Sequence, residues 1–238
     1  MKKAIVIGAS SGIGKSVAEE LLRDEYVVGV TGRREDLLKT IQEKHSGKAF
    51  FKKMDVQDLA SIESICNELV TQIGGLDLLI ISSGIGEENS ELKFEIEDDV
   101  IKTNVQGFTC IAGWGINFFK KQGYGHLVNI SSIAGIRGNG QAPSYNATKA
   151  FQINYLEGLR LNVHRSKLPI YITDVRPGFV DTAMAKGDGL FWVASVQKAA
   201  KQILKAIKGK KKVIYVTKRW KLIGYFLKAI PFSVLKKI

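Results

Sequence analysis

Seven short runs rich in β-branched residues recur along the chain, at 3–8, 26–31, 49–54, 76–82, 125–131, 170–175 and 212–217. Helix-length segments such as 14–24 and 59–73 lie between them. A strand, a helix and a second strand in succession place the two strands parallel with a right-handed crossover, so this repetition predicts a parallel sheet with helices on both faces. The apolar run LDLLII at 76–81 suits a central strand that is buried on both sides. With 238 residues, 45% of them hydrophobic, the chain can bury one large core. Cys66 and Cys110 lack metal-ligand spacing, which argues against a zinc site and a disulfide framework and favours a reducing cytoplasm. The opening lysines precede an apolar run that ends in a glycine loop, and we read it as a first strand rather than a signal peptide. No stretch approaches the roughly 18 apolar residues of a spanning helix.

The loop after the first strand, IGASSGIGKS, opens a helix. Gly8 permits a sharp turn, Gly12 lets backbone approach a pyrophosphate, and Gly14 lets the helix pack closely, while the helix N-terminus offers free N–H groups to an anion. The fold class predicted is therefore α/β, a Rossmann-like doubly wound, mostly parallel seven-stranded sheet. After the second strand, folds of this kind that select NAD place an acid on the ribose 2′-hydroxyl. Here Arg33 and Arg34 stand in that region, and a guanidinium would clamp a 2′-phosphate, favouring NADP(H) over NAD(H). The alternative is a solvated pair of arginines answered by Glu35 and Asp36.

In PSYNATKAF, Tyr145 and Lys149 lie four residues apart, on one helical face. An ammonium close to a phenol lowers its pKa from about 10 towards the range of a working acid for carbonyl reduction. Ser132, at the end of the fifth strand, would hydrogen-bond the substrate oxygen. Neighbouring strand side chains face opposite ways, so only one of Ser131 and Ser132 can aim at the cleft.

These motifs, in this order, resemble the short-chain dehydrogenase/reductase family over residues 1 to about 185. The resemblance implies that Gly8, Ser10, Ser11, Gly12, Ile13 and Gly14 form the cofactor loop and that Asp55 and Val56 contact adenine. It implies that Ser132, Tyr145 and Lys149 are catalytic, that family spacing selects Ser132, and that Asn104 of TNVQG shapes a helix and holds a water in a proton relay. In RPGFVDT, Pro177 and Gly178 open a loop whose Val180 backbone and Thr182 would hold the nicotinamide carboxamide. It further implies a homodimer or homotetramer. Two departures stand out. Ile7 replaces a threonine that braces the loop, and Ile81, Ser82 and Ser83 replace the family's Asn-Asn-Ala, which puts sheet stability in question while leaving backbone contact at Ser83 and Gly84 available to the ribose. His45, His126 and His164 fall outside every motif and read as surface or turn residues, and Asp174 and Asp181 read as structural.

The net charge of +12 is confined to one end: residues 198–238 hold 13 lysines and arginines and no acid. We expect one domain, with 1–185 as dinucleotide-binding and catalytic core and 186–238 as lid, last helix and strand, and basic tail. Leu190, Phe191 and Trp192 would make an apolar lid for an apolar carbonyl substrate, or cap the core. In the tail, Trp220, Ile223, Phe226, Leu227 and Ile230 recur at helical spacing against a polar stripe of Lys221, Gly224 and Lys228, with Pro231 ending the helix. Three readings stand: residues 219–238 lie on an anionic membrane, bind an acidic acyl carrier, or cover the cleft or a second subunit. The KGKKK run at 208–212 lacks a recognition helix, so we do not expect nucleic acid as a partner. Two functions follow: an NADP-dependent oxidoreductase interconverting carbonyl and alcohol, or a catalytically silent NADP-binding module peripheral to a membrane or partner.

Overall fold

Strand residues alternate between two cores, because both faces of the sheet are buried. In the computed structural model, which describes residues 1–185 and 191–235, Ala4 and Val6 join one apolar cluster while Ile5 and Ile7 join the other, and Leu78 and Ile80 separate from Leu79 and Ile81 in the same way. The elements are β1 (Lys3–Ile7), α1 (Gly12–Arg23), β2 (Val27–Gly32), α2 (Glu35–Lys44), β3 (Ala49–Lys53), α3 (Leu59–Ile73), β4 (Leu78–Ile81), α4 (Phe94–Ile101), α5 (Phe108–Gln122), β5 (Gly125–Ile130), α6 (Pro143–Arg165), β6 (Ile170–Pro177), α7 (Val196–Lys208), β7 (Val213–Val216), α8 (Trp220–Ala229) and α9 (Phe232–Leu235). Helices α1, α2 and α7 supply one core, and α3, α5 and α6 the other.

Every run read as a strand from the sequence forms one, within a residue or two of its ends. The sheet order is β3-β2-β1-β4-β5-β6-β7, and every pairing among the described strands is parallel. The chain winds outward from β1 in one direction and from β4 in the other. Loops at the carboxyl ends of β1 and β4 diverge there and leave a crevice, the usual ligand position in such sheets.

Two expectations need correction. His126 is a buried residue of β5, not a surface or turn residue: its Nε2 lies 2.8 Å from Thr173 Oγ1 on the neighbouring β6, and burial, with Lys210 nearby, pushes its pKa down to about 4. A polar side chain on a strand is invisible to motif reading when a neighbouring strand supplies its partner.

The second correction concerns the tail. Its inward face is Trp220, Ile223, Gly224 and Leu227, so Gly224 belongs to the packed side rather than to a polar stripe, and Phe226 points away. Gly224 packs under Tyr215 of β7 and Ile136, where a side chain would collide with both. No described helix is long and apolar enough to cross a membrane.

Candidate active site

A cleft of about 840 Å³ runs along the carboxyl ends of the strands. It is lined by Gly8, Ser10, Ser11, Gly12 and Ile13 between β1 and α1, Arg33 and Arg34 after β2, Asp55 and Val56 after β3, and Ser83 and Gly84 after β4. Ser132 after β5, Tyr145 and Lys149 from α6, and Pro177, Gly178, Val180 and Thr182 from the end of β6 complete the wall. Of the residues read from the sequence as catalytic or cofactor-binding, Gly14 and Asn104 lie behind that wall. Gly14 packs against the Gly8 carbonyl, where any Cβ would clash, and so sets how closely α1 approaches β1.

The glycine loop has the backbone its role requires. Gly8 and Gly12 adopt φ of +82° and +57°, conformations that L side chains rarely take. A Cβ at Gly8 would sit 2.6 Å from the Ser83 backbone nitrogen, so the turn after β1 and the turn after β4 touch. Arg34 reaches across the loop mouth, its NH2 donating to Ser10 Oγ at 3.0 Å and Ser11 Oγ at 2.6 Å. It is held there by those hydroxyls rather than by Glu35 or Asp36, which begin α2.

Deeper in the cleft the polar groups form a connected network. Between α4 and α5 the helix takes one π-helical turn, Lys102–Gly107, a local widening that often marks functional sites. Asn104 in that turn accepts from Ile85 N at 3.0 Å and donates through Nδ2 to Ile85 O at 2.7 Å and Thr148 Oγ1 at 3.1 Å, tying the loop after β4 to α6. Its own carbonyl, freed by the π turn, accepts from Gln152 Nε2 at 2.8 Å. Gln152 Oε1 in turn accepts from Lys149 Nζ and from Asn129 Nδ2, each at 3.2 Å.

Gln152 and Asn129 escaped the sequence reading, though Gln152 stands one helical turn beyond Lys149, where a positioning partner would be sought. The two serines separate as strand geometry demands. Both line the cleft, but Ser131 Oγ is committed inward, donating to Asp174 and the Val175 carbonyl, whereas Ser132 Oγ accepts from Ala134 N at 3.1 Å. Asp174, fully buried and paired with Arg176 Nε at 2.7 Å, is structural.

Electrostatically the site differs from the expectation in one respect. Lys149 Nζ donates to Ile130 O and Gln152 Oε1, each at 3.2 Å, and lies 5.8 Å from the Tyr145 ring centroid. Burial lowers the Lys149 pKa to about 8, with Asp174 opposing. Burial likewise raises the Tyr145 phenol above its ordinary value, and the Ser132 hydroxyl pulls it part of the way back. The protein alone therefore does not acidify this phenol: burial penalises the charged phenolate, and the Lys149 ammonium is bonded to Ile130 and Gln152.

The comparison with known proteins can now be set beside this geometry. The family model described as short chain dehydrogenase matches residues 2–190. The chain belongs to the short-chain dehydrogenase family. Like the rest of that family it is an oxidoreductase, with activity on a carbonyl or alcohol group. The 3-oxoacyl-(acyl-carrier-protein) reductase FabG of Staphylococcus aureus is 33% identical over 190 residues, 77% of this chain and 76% of that one. A short-chain dehydrogenase from Streptomyces avermitilis superposes with a TM-score of 0.81 at 24% identity, over 90% of this chain and 88% of the other. The closed form of serine dehydrogenase complexed with NADP+ gives 0.78 at 24% identity, over 86% and 88%. These two structural likenesses speak for the fold.

Nicotinamide dinucleotides are the cofactors of this short-chain dehydrogenase fold, and the residues present fit one. Besides the two left-handed glycines at a helix N-terminus, Ser83 Oγ lines the cleft and is buried with no hydrogen-bond partner among the described residues, an acceptor or donor waiting for a polar group. Phe191 and Trp192 of the expected lid pack with Phe179 and Trp220 in an aromatic cluster at the cleft edge, while Leu190 lies outside the described residues.

Proposed function

We propose that the protein is an NADPH-dependent reductase of an apolar ketone, aldehyde or acyl thioester, with Tyr145 as the proton donor. What supports this reading above all is the meeting of Ser132, Tyr145 and Lys149 in the cleft that also holds the left-handed glycine loop. When bound, the reduced nicotinamide supplies a hydride to the carbonyl carbon. Ser132 orients the carbonyl oxygen and Tyr145 gives it a proton. A protonated phenol is the form that reduction needs, and burial, which raises the Tyr145 pKa, keeps it in that form. Lys149, fixed by Ile130 and Gln152, holds a positive charge behind the phenol that favours its conjugate base once the proton has left. Asn104 and Gln152 position that lysine and join it to the loop after β4.

The choice of NADPH over NADH rests on Arg33 and Arg34 where an acid would otherwise meet the ribose, with Arg34 anchored by Ser10 and Ser11. It agrees with the NADP+ named for serine dehydrogenase. The apolar substrate rests on Ile85, Ile133, Phe179 and Met184 in the wall, and the acyl thioester on the name of the FabG relative. Residues 191–235 are taken as part of the same domain, since α7 packs on α1 and Trp220 on the loop at Gly178.

The test is NADPH oxidation followed optically across a panel of apolar ketones, aldehydes and acyl thioesters. Turnover of at least one class, with NADH serving poorly, is the expected result. Silence across the panel with NADPH still bound would leave a cofactor-binding module without chemistry.

A further inference from the structure

The tail helix has a second apolar face. Its inner side, Trp220, Ile223, Gly224 and Leu227, packs on β7 and the turn near Ile136, and Arg137 fixes its end by donating to the carbonyls of Leu227, at 2.8 Å, and Ile230. The outer side carries Leu222, Tyr225 and Phe226, exposed by 74%, 60% and 59%, and Phe232 just beyond at 77%. Large apolar side chains set at helical spacing on a surface mark an interaction site rather than scattered exposure. Around them the charges are of one sign: Lys218, Arg219, Lys221 and Lys228 flank the face, within a stretch, 198–238, that has no acid.

We propose that the outer face of α8, flanked by Phe191 and Trp192, is a docking surface for an anionic lipid bilayer. A helix with apolar side chains between rows of cations lies in the interface plane, its apolar face among the acyl chains and its lysines at the lipid phosphates. The competing occupants fit less well. A second copy meeting this face about a two-fold axis would bring the lysines against themselves with no acid to answer them. An acidic carrier protein would answer the charge, but lysines are depleted from the cores of protein interfaces, whereas the bilayer headgroup region accepts them.

Docking needs no unfolding, because the inner face and Arg137 already hold α8 on the body. Phe191, 48% exposed, stacks on Trp220 at 5.1 Å and meets Phe179 of the cleft wall edge-on at 5.8 Å, and Arg219 lies over the Trp192 ring. This inference concerns the surface and stands apart from the reductase reading.

The experiment is co-sedimentation of the full chain with vesicles of phosphatidylcholine carrying about 30% phosphatidylglycerol, against vesicles of phosphatidylcholine alone. We expect binding to the anionic vesicles, lost at least about tenfold in L222S/F226S and in K218Q/K221Q/K228Q, and weakened by salt at about 0.5 M. Far-ultraviolet circular dichroism and a urea midpoint matching those of the wild type show that both variants are folded. The proposal is overturned if the wild type ignores anionic vesicles, or if L222S/F226S sediments as the wild type does. It is equally overturned if, with no lipid binding, an acidic acyl carrier protein is retained through the same residues, or if light scattering finds a dimer that L222S/F226S dissolves. Turnover of a water-soluble carbonyl compound in the absence of vesicles reports on the reductase reading separately.

Discussion

In the cleft, polar side chains are buried and tied to one another, Asn104 to Thr148 and Ile85, Gln152 to Lys149 and Asn129, Ser131 to Asp174. Along α8 and the start of α9 the relation is reversed, with the large apolar side chains of Leu222, Tyr225, Phe226 and Phe232 exposed. A buried polar network is costly unless every member has a partner, so it persists where it positions chemistry. An exposed apolar helix face is costly in water, so it persists where something other than water meets it. The family model covers residues 2–190, the part that holds the cleft, and ends before α8.

The largest effect expected on either side is that of Tyr145→Phe. If Tyr145 is the proton donor proposed above, removing its hydroxyl should lower kcat for carbonyl reduction about a thousandfold while NADPH binding, followed by fluorescence, stays within about twofold. A kcat within about tenfold of wild type would remove Tyr145 as the proton donor and give that part to another group of the cleft. In the wild type the rate should hold through neutrality and fall as the pH rises past about 8, where Lys149 loses its proton and its charge behind the phenol. A rate level to pH 10 would separate Lys149 from the chemistry.

Whether the tail is a separate appendage or part of the core is decided at Gly178. A Cβ there would run into the Trp220 indole, which is held edge-on by Phe179 and stacked by Phe191. Gly178→Ala should therefore destabilise by about 1–3 kcal/mol through overpacking, read as a lower midpoint in urea. The same change on a Trp220→Ala background should cost almost nothing, because the clash is gone. Additive losses would mean that Trp220 does not bear on the cleft loop, and the contrast between core and appendage would then be sharper than the packing suggests.

How much was readable in advance differs between the two regions for a physical reason. In the core each signal has a single structural solution: a glycine forced to positive φ, a Tyr–Lys pair at one-turn spacing, β-branched runs of strand length. From these the parallel sheet, the glycine loop and the Tyr145–Lys149 pair could be named, while Asp55, Val56, Ser83, Gly84, Pro177, Gly178, Val180 and Thr182 came from the family resemblance. What escaped was the support behind the cleft. Asn129 and His126 acquire partners only across strands or helices, and Gln152, one turn from Lys149, joins that lysine to Asn129; no local pattern records a neighbour 23 or 47 residues away. The state of Tyr145 escaped for a similar reason, since where the Lys149 ammonium points is fixed by Ile130 and Gln152. In the tail, apolar residues occupy nearly every side of α8, so periodicity cannot say which side is packed; the small Gly224 and the bulky Trp220 decide it through shape.

Arg34 is the next test, on the cofactor side of the comparison. Arg34→Ala should weaken NADPH binding about tenfold and leave NADH little changed, because the guanidinium would face only a 2′-phosphate. Isothermal titration with both nucleotides measures the ratio. Equal losses for the two would make Arg34 a brace for the Ser10–Ser11 loop rather than a selector.

The smallest effect asks whether the charge of the tail reaches the core at all, at the amino-terminal end of the sheet, far from the cleft. His126 there is neutral and hydrogen-bonded to Thr173, whose hydroxyl donates to the Lys211 carbonyl, while Lys210 lies over the Tyr171 ring beside it at 4.1 Å. Burial is the main cause of its low pKa and Lys210 the second. Because the folded value of about 4 lies below the ordinary 6.5, the unfolded chain binds the proton first as the pH falls. Stability should accordingly decline between pH 6.5 and about 4 and decline no further from this group below that. Lys210→Gln removes the repulsion but not the burial, so the His126 pKa, followed by NMR, should move upward by only a fraction of its displacement, and the acid decline should narrow to match. An unmoved pKa would mean that solvent screens the basic run from the sheet, and the tail would then act on its surroundings alone.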